Sequence, residues 1–62
     1  MERRFDLREE EDGTWTVFDV FTGLPGIVGG FEATGFEVDE AGDLLAMLNA
    51  ADLERRREAG ML

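Results

Sequence analysis

The chain has no cysteine, histidine, lysine, serine, tyrosine or glutamine, and its 62 residues include a single proline. Without cysteine there is no disulfide, and without cysteine and histidine there is no structural zinc site of the usual kind. The same gaps thin out catalysis, because only threonine hydroxyls and carboxylates remain as nucleophiles and no imidazole is present to activate them. We therefore expect a protein that is not an enzyme and that takes no cofactor, metal or small-molecule substrate. The tract Gly26-Ile27-Val28-Gly29-Gly30 lacks both the Walker lysine and the G-x-G-x-x-G spacing, so its glycines read as turn or bulge chemistry rather than a phosphate cradle. No apolar run approaches the ~18 residues of a membrane span, and no apolar stretch follows Arg3 and Arg4 as it would in a secretory signal. These absences favour a cytoplasmic protein with no membrane partner.

What is present is acid and hydrocarbon. Fifteen Asp and Glu against six Arg leave a formal charge of −9. Residues 1–13, 14–38 and 39–62 each carry −3 of it. A nucleic-acid interface leaves a basic footprint, and this balance repels phosphate over roughly a Debye length, so nucleic acid is an unfavourable partner. The length allows one small domain, residues 1–62, and a domain of this size buries only about 60% of the surface its unfolded chain exposes. Such folds need a staple, and packing or oligomerisation is what remains. At 44% apolar residues, with five Phe and one Trp, the material for either is at hand.

Alternation of apolar and polar residues on either side of Glu10-Glu11-Asp12-Gly13 predicts a hairpin, with strands at about 3–10 and 14–21. Two registers are open. A two-residue loop at Asp12-Gly13 pairs Leu7 with Phe18, whereas a three-residue loop with Gly13 as the left-handed bulge residue pairs Leu7 with Val17. Strand two is apolar on both sides, with Trp15, Val17 and Phe21 on one face and Phe18 and Val20 on the other. One face can take a helix and the other needs a cover. The run from Thr22 to Gly26 reads as a type II turn at Pro25-Gly26. A weaker third strand follows near 27–33, then a connector that tucks Phe36 and Val38 under a helix. Asp39 is the expected N-cap, and Ala41, Leu44, Leu45, Met47, Leu48 and Ala51 form one stripe of a helix at about 39–58. Fraying or a break near Asn49 to Asp52 is the expectation within it, Leu53 falls off the stripe, and Arg55 to Arg57 suit the carbonyl end. The fold class is α+β: a small antiparallel β-β-β sheet, its third strand uncertain, with one C-terminal helix packed on a face.

The acidic residues have structural posts. Glu9 to Asp12 form a solvated turn, and Asp39, Glu40 and Asp43 suit the positive end of the helix dipole; neither group has the spacing of a calcium loop. The unexplained feature is strand two, whose apolar area exceeds what one helix covers. Trp15, Val17 and Phe21 are the candidate interaction surface, with Arg4 and Arg8 placed to stack on Trp15 or pair with a partner, and with Leu53 or Met61 contributing from the helix end.

The order D-G-T-W-x-V at Asp12 to Val17, then Thr22-Gly23, the glycines, and D-E-A-x-x-L-L-x-x-L-N at Asp39 to Asn49 resembles small uncharacterised bacterial proteins of unknown function. That resemblance implies no activity. In order of elements the chain is also similar to the three-strand-plus-helix DNA-binding arms of tyrosine recombinases. Those read DNA with a basic sheet, whereas here only Arg3, Arg4 and Arg8 could serve. The expectation is a non-enzymatic protein–protein interaction module that works as a homodimer. The alternatives are an acidic module that occupies a basic protein surface in place of nucleic acid, and nucleic-acid binding through the arginine-bearing hairpin.

Overall fold

The computed structural model describes residues 3–60. Its elements run β1 (Phe5–Glu9), β2 (Trp15–Asp19), β3 (Ile27–Val28), β4 (Phe31–Glu32) and α1 (Val38–Glu58), an α+β arrangement with the helix packed against the strands. β1 and β2 pair antiparallel with Leu7 opposite Val17 and Phe5 opposite Asp19. This is the three-residue-loop register. The Gly13 amide bonds the Glu10 carbonyl at 3.0 Å and Gly13 has φ +86°, a conformation that costs glycine nothing and an L side chain about 1 kcal/mol or more. Asp12 reinforces the turn, its carboxylate accepting from the Thr14 amide and hydroxyl at 2.9 and 2.6 Å. The hydroxyl bond, ahead of the amide bond, holds the Asp12 carboxyl below the ordinary carboxylate range.

The third strand exists only in two pieces. The Val17 carbonyl accepts from Gly26, and the Val17 amide donates to Ala33. Pro25 and Phe36 lie opposite Phe18 and Trp15 in the same antiparallel sense. Residues 24–26 and 33–36 thus line the far side of β2, and the chain between them leaves as a miniature hairpin in which Val28 pairs with Phe31 across Gly29 and Gly30. Both glycines have positive φ, the requirement of a two-residue type I′ turn. The type II turn expected at Pro25-Gly26 is not formed. Gly26 is buried and bonded to β2, while the turn lies earlier, where the Gly23 amide reaches the Asp19 carbonyl at 2.7 Å. Pro25 fits the ladder because it takes a position whose own amide is not needed: Leu24 supplies a carbonyl to Asp19 and Gly26 an amide to Val17.

The helix begins one residue earlier than expected. Its N-cap is Glu37 rather than Asp39, and the Glu40 carboxylate takes the Glu37 amide at 3.2 Å. Asp39 and Glu40 then sit in the first turn, where carboxylates complement the dipole, and Arg55 to Arg57 close the last turn. The helix is continuous through Asn49 to Asp52. Phe5, Val17, Ala33 and Ala41 form the buried core, flanked by Leu7, Trp15, Val28, Phe36, Leu44, Leu45 and Leu48. Met47 and Ala51 fall outside it, and Asp52 falls inside. The packed face is rotated by roughly a sixth of a turn from the apolar stripe, toward Asn49, Asp52 and Arg56. Phe36 is tucked in as expected, but Val38 is largely exposed.

Candidate functional site

Two polar links dock the C-terminal half of α1 on the start of β1. Asn49 receives the Phe5 amide on Oδ1 at 2.9 Å and donates Nδ2 to the Phe5 carbonyl at 3.2 Å. Asp52, only 4% exposed, accepts Arg4 at 3.3 Å and is enclosed by Arg56 at 2.6 Å and Arg55 at 3.7 Å. Arg4 also bonds Asp19 at 3.1 Å. Burial works against the Asp19 charge, but the Phe21 amide and the Arg4 guanidinium outweigh it and hold the carboxyl below its ordinary value. The rotation of the helix follows from these bonds: a buried carboxylate is tolerated only when enclosed by cations, and that enclosure selects the face.

The expected strand-two surface is therefore not assembled. Val17 is 0% exposed and belongs to the core, so it can contribute to no interface. Trp15 is half-buried against the same core. Neither arginine stacks on Trp15. The Arg4 guanidinium lies 5.9 Å from the Phe5 ring and 6.0 Å from that of Phe21, and Arg8 lies 5.3 Å over Phe18 while pairing with Glu10 at 2.9 Å. Arg8 is thus the cover that the second face of β2 requires. On that face Thr16 is also buried, beneath Arg8 and Glu10. Leu53 is half-buried and lines a shallow groove of about 220 Å³ with Arg3, Arg4, Asn49, Ala50 and Arg56. Met61 lies outside the described residues.

Of the six candidates Phe21 is the only exposed apolar one, at 61%, and Arg8 is exposed as well. Close to Phe21 along the chain stand further exposed apolar residues that the sequence reading left aside, Val20, Leu24, Ile27 and Phe31, the last 78% exposed. One signal was available. Residues 20–31 contain no charged side chain, in a chain that is 34% charged. Among the described residues no three carboxylates gather closely enough to hold a metal ion, and no helix is long and apolar enough to cross a membrane. Comparison with known protein families, curated proteins and solved structures finds no match.

Proposed function

We propose that this chain is a non-enzymatic protein–protein interaction module that works as a homodimer and presents the surface of residues 20–31 to a further protein. One observation carries the reading. Five of the seven large apolar side chains that stand exposed among the described residues, namely Val20, Phe21, Leu24, Ile27 and Phe31, fall within these twelve uncharged positions. The fold does not need them exposed, since Phe5, Val17, Ala33 and Ala41 already form the core. Apolar side chains concentrated in this way mark association surfaces, whereas scattered ones carry no message. The short two-residue strands make this surface a presented loop pair on a scaffold set by the β1–β2 hairpin and α1.

Two measurements test the reading. Sedimentation equilibrium from tens to hundreds of micromolar should show a monomer–dimer equilibrium, and a monomer throughout overturns the homodimer. Replacing Phe31 and Leu24 together by Asp should leave the fold intact by circular dichroism and reduce retention of bound protein in a capture experiment. Equal capture by the double variant removes the surface from the proposal.

A further inference from the structure

We infer that the second copy packs on the outward face of α1, the two helices running antiparallel across a twofold axis at Ala50, with Asp43 of each against Arg57 of the other. The inference rests on the homodimer proposed above and says which face makes it.

The face is defined by the fold. Ala41 is fully buried against the hairpin, and Ala50, nine residues on, lies about two and a half turns away, on the opposite side of the helix. Around Ala50 the structure leaves Ala46 and Met47 exposed and Leu53 half-buried, with Met47 at 55%. This side of α1 is apolar at its centre, and among the described residues it is bordered by Arg3 and Arg4 at the groove beside Ala50 and Leu53. Small residues at a crossing allow two helix axes to approach to about 8 Å.

Charge sets the orientation. Arg3, Arg4, Arg8, Arg55 and Arg56 each have a carboxylate partner within the chain, and Arg57 is the one arginine without such a partner among the described residues. Asp43, near the other end of the same face, is exposed and likewise takes part in no ion pair there. With two copies antiparallel about Ala50, Asp43 faces Arg57 twice and Met47 faces Leu53 twice. Glu54 then lies opposite Ala46 and Glu58 opposite Gly42, so no carboxylate on this face meets another. A parallel pair would instead set Asp43 on Asp43 and Arg57 on Arg57, which is repulsive at both ends. The uncharged surface of residues 20–31 offers no such polarity to fix a register, and in the helix-paired dimer it remains free on both copies.

The absence of cysteine gives a direct test on the full chain. A residue on the twofold axis meets itself, so Ala50→Cys should form a disulfide-linked dimer on mild oxidation, whereas Phe31→Cys should not. In sedimentation, Asp43→Arg and Arg57→Asp should each raise the dimer dissociation constant about tenfold, and the double reversal should restore it. Ala50→Arg should give a monomer that is still folded by circular dichroism. A dimer insensitive to Ala50→Arg and to both reversals, or one lost only on Phe31→Asp, overturns the helix interface while leaving the homodimer standing. A wild-type monomer at every concentration removes both.

Discussion

Asn49 and Asp52 carry more of the docking of helix on hairpin than their polarity suggests. Each replaces hydrocarbon on the packed side of α1, and each holds a residue at the start of the chain, Phe5 for Asn49 and Arg4 for Asp52, from more than forty positions away in sequence. Removing one leaves a half-buried donor or acceptor without its partner, which costs about 1–3 kcal/mol. Asn49→Ala and Asp52→Ala should both lower the unfolding free energy measured by urea denaturation by an amount in that range, more than exposed Ala46→Ser, and Asn49→Ala should do so without altering net charge. These residues were misread as a helix break because helix propensity is local, while the groups that explain them lie in the first five residues. Asp12-Gly13 was legible for the opposite reason: the turn's whole chemistry lies within four adjacent positions.

At the scale of elements, the hairpin and the helix limits follow from patterns that short windows contain, but the register does not: Gly13 takes positive φ in either loop, and only the observed pairing of Leu7 with Val17 selects the three-residue one. An N-cap displaced by two residues hardly moves the helix, 38–58 against an expected 39–58. The third strand was harder to see because its halves, 24–26 and 33–36, are separated by a detour whose glycines obscure the alternation. Gly26 is where these halves, β1 and the helix converge. A Cβ there would meet the Phe5 ring at 3.3 Å and Leu48 and the Val17 carbonyl at 3.5 Å. Gly26→Val should therefore destabilise by about 1–3 kcal/mol through overpacking, with Gly26→Ala the milder of the two, read as the shift in thermal midpoint. Leu48→Ala should cost about 1–3 kcal/mol, less than a fully buried leucine, because the side chain is only half-buried.

For the molecule as a whole, −9 charges on 62 residues make pH the natural lever. The Asp19 carboxyl is held below its ordinary value in the folded state and returns to about 3.9 on unfolding, so its contribution is present in full above that value. It is lost as pH falls through the lower, folded value. Thermal melts between pH 7 and pH 2.5 should show a midpoint that holds to about pH 4 and then declines, and Asp19→Asn should flatten that decline while lowering the plateau. The free side of β1 also matters at this scale. The Arg4 carbonyl accepts from the Val20 amide and the Glu10 amide donates to the Thr14 carbonyl, so residues 5, 7 and 9 of β1 point their amides away from β2. The Phe5 amide and carbonyl are held by Asn49, and the Leu7 amide is held by Asp6 at 2.8 Å. A side-chain amide and a carboxylate thus stand where a neighbouring strand would lie. An open rim of this kind recruits further chains into fibrils, and here three of its six docking points, all at the Phe5 end, are already taken, which leaves an aromatic-rich chain less of a sheet edge along which to polymerise.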